Sequence, residues 1–147
     1  MARTIGRVLL GVLTFVGLSL AAVPVASANP GGVPATEHCA ATKGTHTGIK
    51  VEAEDSPKTI KVYDSRTGKD IDVVVKISGP YLKLEAVDSK LELVDATWCV
   101  KAGTEVHYGT GTWGKSNIYN KNGKLKDISY AVIYWVTSKD KCPPKVY

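Results

Sequence analysis

The chain has 147 residues, of which 44% are hydrophobic and 22% charged, and its 19 lysines and arginines outnumber its 14 acidic residues by five. This length suffices for one domain with its own core and leaves no room for a second domain of similar size. The lysines are spread from Lys43 to Lys145, whereas nucleic-acid binders gather their basic residues in one patch, so the composition argues against nucleic-acid binding.

The N-terminal 28 residues have the three parts of a secretory signal. Arg3 and Arg7 form a basic start, residues 8–22 form an apolar run, and Ala26-Ser27-Ala28 matches the small-x-small site of a signal peptidase. We therefore predict a signal-peptide helix over residues 1–28, cleavage, and a secreted, extracellular protein with no stable membrane anchor. An uncleaved anchor is the alternative, although the apolar run is shorter than the ~20 residues that span a bilayer.

The next segment, residues 29–47, is rich in Gly, Pro, Ala and Thr and shows no apolar periodicity. We predict that it is a flexible N-terminal leader, followed by one domain over residues 48–147. In that domain apolar side chains alternate with polar ones in short segments separated by turns, which is typical of strands. The segments cover residues 49–53, 58–64, 70–78, 81–86, 91–102 and 128–136.

About seven to nine short strands with turns roughly every 8–12 residues predict an all-β fold, an antiparallel β-sandwich, with a small barrel as the alternative. In the segment 91–102 the apolar set changes phase, which predicts a β-bulge near Val94-Asp95. The segment 128–136 is apolar on both sides, so it is covered on both faces or presents an aromatic side to something else. Asn120-Lys121-Asn122-Gly123 predicts a hairpin turn before it.

Three cysteines, Cys39, Cys99 and Cys142, cannot all pair within one chain, and export favours a disulfide. We rank Cys39–Cys142 first because both residues lie in irregular segments that flank the strands. Cys39–Cys99 ranks second and Cys99–Cys142 third. The remaining thiol is either buried and inert or links two chains into a dimer.

No set of residues predicts catalysis or a cofactor. His38, His46 and His107 occur without a nucleophile elbow or another catalytic signature. His38, Cys39 and His46 match no zinc spacing, and the alternating acids of the predicted strands are ordinary on a solvent-exposed face. We therefore predict a non-enzymatic protein with no metal and no cofactor.

The most distinctive loop is Gly109–Gly114, with the sequence GTGTWG. A phosphate-binding loop would require a helix directly after it, whereas the following residues lead into a hairpin. The segment is either a flexible connection with Trp113 packed onto the sheet, or a loop that presents Trp113 to a sugar ring or a partner protein. Four further aromatic residues are candidates to extend such a binding surface: Tyr81, Tyr108, Tyr119 and Trp135.

Two short motifs carry a resemblance to a known family. The strand end Val100-Lys101-Ala102-Gly103 and the later Asp127-Ile128-Ser129-Tyr130 resemble small exported β-domains that are frequent in actinobacteria and have no assigned function. Many members have His where this chain has Tyr130, and their central strand lacks the cysteine found here at Cys99. The similarity covers about half of the mature chain, and it implies an extracellular β-sandwich without implying a catalytic site.

Together these features predict a secreted, non-enzymatic module of the cell envelope or matrix that recognises a cell-surface glycan or a protein. A small secreted hydrolase or hydrolase inhibitor, with a site dispersed along the sequence, is the alternative.

Overall fold

The computed structural model of the protein describes residues 36–142. They include ten strands and one turn of 3-10 helix, Ala53–Asp55. The strands are β1 (Thr42–Lys43), β2 (His46–Thr47), β3 (Ile49–Glu52), β4 (Lys58–Asp64), β5 (Lys69–Ser78), β6 (Tyr81–Ala86), β7 (Leu91–Ala102), β8 (Glu105–Thr110), β9 (Trp113–Lys115) and β10 (Tyr130–Asp140). The predicted signal-peptide helix over residues 1–28 and the first part of the predicted leader lie outside the described residues. Between residues 36 and 142 no helix is long and apolar enough to cross a bilayer.

Strands β3 to β10 form one eight-stranded sheet. Its order is β8-β7-β10-β4-β5-β6-β9, and β3 pairs with the first half of β10. Neighbouring strands are antiparallel except β10 and β4, which run parallel. The prediction of an all-β fold is confirmed, and its strands are antiparallel with this one exception. They lie in one curled sheet, as in the barrel given as the alternative, and not in the two stacked sheets of a sandwich.

The sheet curls because its two edge strands are consecutive in the chain. β8 ends at Thr110 and β9 begins at Trp113, so only two residues separate one edge from the other. This linker bonds to both sides of the gap: Gly111 N donates to Ala96 O of β7 at 2.9 Å, and Thr112 O accepts from a β6 amide at 2.8 Å. The result is a nearly closed barrel, which protects the edges that a flat sheet would expose.

The inner faces of the strands supply the core. The alternation seen in the sequence places valines, isoleucines and leucines of every long strand inside the barrel, as apolar burial requires. The most fully buried members are Val51, Val62, Val73, Val75, Leu82, Val100, Ile133 and Val136.

The parallel junction between β4 and β10 has one ladder pair, Val136 with Asp64, and side chains hold it together. The buried Asp64 carboxylate accepts hydrogen bonds from Ser138 N (2.9 Å), Ser138 Oγ (2.6 Å), Thr67 Oγ1 (3.0 Å) and Arg66 N (3.2 Å). Burial alone would raise the pKa of Asp64, but hydrogen bonds from Ser138, Thr67 and Arg66 favour the charged form, so its pKa lies below the ordinary value. Asp64 is therefore a structural carboxylate.

The predicted bulge in β7 is confirmed. Val94 is skipped in the pairing with β10, between Leu93 and Asp95, and its side chain is exposed. A second irregularity at Tyr134 in β10 was not predicted. The closing strand runs from Tyr130 to Asp140, so it begins two residues after the predicted segment 128–136 begins and ends four residues after it ends. Most of the strand is buried on both faces, which was one of the two interpretations of its sequence.

The outer face of β7 and β10 is covered by residues 36–48, here termed the strap. Strands β1 and β2 form a hairpin within it, and Glu37 N donates to Thr104 O at 2.9 Å. The strap approaches so closely at Gly48 that a Cβ there would lie 2.2 Å from Val132 Cγ1. The part of the predicted flexible leader that the structure describes is thus packed against the sheet.

A disulfide between Cys39 and Cys99 fixes the strap, with the two Cα atoms 5.8 Å apart. This is the second-ranked pairing; the first-ranked pairing, Cys39–Cys142, is not the one formed. The ranking failed because the Cys99 side chain faces outward from β7, beneath the strap, whereas Cys142 follows the far end of β10. Cys142 is an exposed free thiol, so the interpretation of the third cysteine as buried and inert is wrong.

Candidate functional site

Two of the predicted aromatic residues lie side by side on the outside of the barrel. Trp113 opens β9 with 57% of its surface exposed, and Tyr81 opens β6 with 45% exposed. Their ring centroids are 5.7 Å apart and the ring planes differ by 23°. This stacked pair, here termed the aromatic platform, is formed because β6 and β9 are antiparallel neighbours whose outward residues share one face.

The glycines of the distinctive loop have a packing role beneath the platform. A Cβ at Gly109 or Gly114 would lie 2.3 or 2.2 Å from the Trp98 indole inside the barrel. The same indole donates from Nε1 to Gly111 O at 2.9 Å. Trp98 therefore requires glycine on both sides of the turn, and Trp113, between Gly111 and Gly114, points outward. The interpretation of Trp113 as packed onto the sheet is wrong.

The platform borders a depression of about 420 Å³, which is lined by Tyr81, Trp113, Leu82, Ser78, Lys76 and Lys83. Glu85 bridges the two lysines, with carboxylate oxygens 2.6 Å from Lys76 Nζ and 2.8 Å from Lys83 Nζ. Hydrogen bonds from Lys76 and then from Lys83 lower the pKa of Glu85 to about 2. The aromatic surface thus has a charged rim, which the sequence analysis did not assign to the site although the period of β6 places Lys83 and Glu85 on the same face as Tyr81.

The other three predicted binding residues lie elsewhere. Tyr108 and Trp135 lie on the face that the strap contacts, although Tyr108 itself is 40% exposed. The ring centroids of His46 in the strap and Trp135 are 5.1 Å apart. Tyr119 is exposed in the hairpin that contains Asn120–Gly123 and is paired there with Leu125. The predicted turn is formed, but the residue that pairs back with Tyr119 is Leu125, and the closing strand β10 begins only later.

The covered face holds a second aromatic cluster that the sequence analysis did not recognise as a group. Three tyrosine hydroxyls bond the strap backbone: Cys39 N donates to Tyr130 Oη (3.2 Å), Ala40 N donates to Tyr108 Oη (2.8 Å), and Tyr134 Oη donates to Ala40 O (2.6 Å). Burial raises the pKa of Tyr134 to about 12, and the neighbouring phenols of Tyr108 and Tyr130 add to the shift. The sequence feature that could have revealed this cluster is the apolar character of β10 on both of its faces.

Two of the three histidines, His46 and His107, pack against aromatic rings. His107 Nε2 lies 2.9 Å from Asn117 Nδ2 and its ring meets the edge of Trp98. His46 packs against Trp135 and Tyr63. Within residues 36–142, no group of three or more His, Cys, Asp or Glu side chains is arranged to hold a metal ion.

No protein-family model, no curated protein and no solved structure matches the chain. The geometry of the platform, its rim and the strap therefore provides the basis for a functional proposal.

Proposed function

We propose that the protein is a secreted, non-enzymatic binding module that takes a sugar ring of a cell-surface or matrix glycan on the aromatic platform. One observation carries the proposal: Trp113 and Tyr81 are both largely exposed, yet stacked within 23° of each other on adjacent strands. Contiguous exposed aromatic surface is unfavourable in water and is typical of a binding site.

The chemistry of the platform suits a pyranose. Trp and Tyr offer a flat apolar face to the C–H bonds of a sugar ring while keeping a polar edge in water. Ser78, Lys76 and Lys83 line the same depression and can bond ring hydroxyls. The volume of about 420 Å³ falls in the usual range for small-ligand sites, about 300–1,000 Å³.

The size of the surface favours a saccharide over a protein partner. Two rings and a short rim present far less area than the roughly 800 Å² per partner that a stable protein interface buries. The site also rests on a rigid base, because Trp98 packs beneath the turn that presents Trp113. A preorganised site loses little conformational entropy when a ligand binds.

Extracellular location is supported by two features. The first 28 residues have the composition of an export signal, and the Cys39–Cys99 disulfide is of the kind that persists in oxidising compartments.

Retention on a panel of immobilised polysaccharides, both neutral and acidic, tests the proposal. We expect the parent protein to bind at least one of them and Trp113→Ala to lose about tenfold in affinity, the order expected for one aromatic stacking contact. Tyr119→Ala is the matched control, because Tyr119 is almost equally exposed (54%) but lies outside the platform. Equal retention of Trp113→Ala and the parent, or no retention by any polysaccharide, would contradict the proposal.

A further inference from the structure

The rim of the platform holds like charges in direct opposition. Lys76 of β5 pairs across the sheet with Lys83 of β6, and Lys83 pairs in turn with Trp113 of β9. In the same pairing of β6 with β9, Lys115 lies opposite Tyr81. Like charges directly opposite each other destabilise a sheet, so this arrangement is not what folding stability alone would select.

One carboxylate serves the two central lysines. Glu85 lies within hydrogen-bond distance of both Lys76 and Lys83, and both lysine side chains remain about half exposed, 48% and 56%. One negative charge cannot neutralise two positive ones, and Lys115 adds a third. Asp127 borders the turn at Gly79, and no ion pair joins it to Lys76 or Lys83 among the described residues. The strand side of the platform therefore keeps an excess of positive charge.

From this juxtaposition we infer that the ligand of the platform is an acidic saccharide, with its ring stacked on Trp113 and its anionic group bound by Lys83 and Lys76. This inference rests on the proposed function and names its ligand class. Lysine is a compact point charge with three rotatable donors, so it suits a carboxylate held at variable angles on a polysaccharide. Glu85 holds the lysines in place in the free protein and competes with the ligand for them.

The probe pair is polygalacturonic acid and its fully methyl-esterified form, which share a backbone and differ in charge. Affinity electrophoresis of the intact secreted protein in gels containing each polymer gives the two dissociation constants. We expect the acid to bind about tenfold more tightly than the ester, because two exposed ion pairs each contribute a few-fold. The preference falls as salt is raised, since exposed charges are screened.

Substitutions of both signs sharpen the test. Lys76→Gln combined with Lys83→Gln removes the preference for the acid, while binding of the ester persists. Glu85→Gln frees the two lysines and strengthens binding of the acid severalfold. Lys139→Gln is the control, because Lys139 is as exposed as Lys83 (56%) but pairs with Glu92 on another part of the sheet; it leaves both constants unchanged.

The outcomes separate the two proposals. Equal binding of acid and ester, abolished by Trp113→Ala, overturns the acidic ligand and leaves the sugar platform standing. Weakening of acid binding by Lys139→Gln as large as that of the double variant also overturns it, because the attraction would then come from net charge. Weaker binding by Glu85→Gln contradicts the competition between Glu85 and the ligand. Failure of every polysaccharide, including these two, overturns the proposed function itself.

Discussion

The barrel carries aromatic clusters on two parts of its outer surface, and the chain treats them differently. On the covered face, Tyr130 and Tyr134 are 8% and 1% exposed, and their hydroxyls bond the backbone of the strap. On the open face, Tyr81 and Trp113 are 45% and 57% exposed. The residue types are similar, so the difference lies in whether a segment of the chain lies over them.

The two clusters show that aromatic surface outside the barrel core is either covered by the chain itself or left exposed. One cluster is covered by the chain's own strap, and a disulfide fastens that cover. The strap cannot reach the other cluster, because it lies across β7 and β10 whereas the platform lies on β6 and β9. A covered cluster contributes to stability, and an uncovered one is available to a ligand. Stability and binding should therefore respond to different substitutions.

The largest expected effect comes from removing the disulfide that joins the strap to β7. Cys39 and Cys99 are 60 residues apart, and the chain-entropy model assigns a loop of this length about 4 kcal/mol. We expect Cys39→Ala combined with Cys99→Ala to lower the free energy of unfolding by about this amount in urea titrations followed by tryptophan fluorescence. Cys142→Ala, which removes the exposed free thiol, leaves stability unchanged.

The same double variant tests the independence of the two faces. Below its unfolding transition the double variant should bind polysaccharides on the platform as the parent does. The reason is that the Cys99 side chain packs with the tyrosines beneath the strap, whereas the neighbouring Trp98, which supports β9, packs in the barrel core. Loss of binding by the folded variant would show that the strap supports the platform, and the contrast drawn above would be wrong.

The second largest expected effect comes from disturbing the contact between Gly114 and Trp98 beneath the platform. Gly114→Ala places a Cβ against the Trp98 indole, where the distance in the present geometry would be 2.2 Å. Overpacking of this kind costs about 1–3 kcal/mol, and we expect weaker polysaccharide retention because Trp113 is displaced. In a Trp98→Leu background the smaller side chain leaves room, so Gly114→Ala costs less; equal costs in both backgrounds in urea titrations would contradict the proposed contact.

The longer strands β4 to β7 and the turns between them were predictable because they depend on local alternation. The segments around β4, β5, β6 and β7 were found within a residue or two, and so was the bulge at Val94, since each leaves a period or a break of period in the sequence. The platform was predictable only in part. Trp113 and Tyr81 were candidates, but their proximity follows from the pairing of β6 with β9, which no local pattern encodes.

The barrel and the Cys39–Cys99 disulfide were both second choices in the sequence analysis, for the same reason. A sandwich and a barrel have the same strand period, and they differ in which edges meet, here through the linker between β8 and β9. The strap lacks periodicity because it is held by backbone bonds to tyrosines and by Cys39. A segment that is ordered only by contacts with a distant strand needs no apolar period of its own, so its sequence cannot be told from that of a flexible leader.

The smallest expected effect concerns the hydrogen bonds under the strap. The pKa of Tyr134 is raised to about 12, whereas an unfolded tyrosine ionises near pH 10. Between these values the folded state keeps a proton that the unfolded state loses, so the stabilisation present below pH 10 is lost as the pH rises towards 12. We expect the free energy of unfolding of the parent, measured by urea titration, to fall across this range and that of Tyr134→Phe to fall less, by an amount on the order of 1 kcal/mol.

Removing one tyrosine hydroxyl from each face, at pH 7, compares how much the covered and the open cluster contribute to stability. Tyr134→Phe removes the donor to Ala40 O and should cost about 1 kcal/mol, as for a typical hydrogen bond that folding protects from water. Tyr81→Phe removes a hydroxyl from an exposed ring and should change the free energy of unfolding by less than about 0.5 kcal/mol. If Tyr81→Phe costs as much as Tyr134→Phe, the open face is also held by the chain's own contacts, and its aromatic surface no longer indicates a ligand.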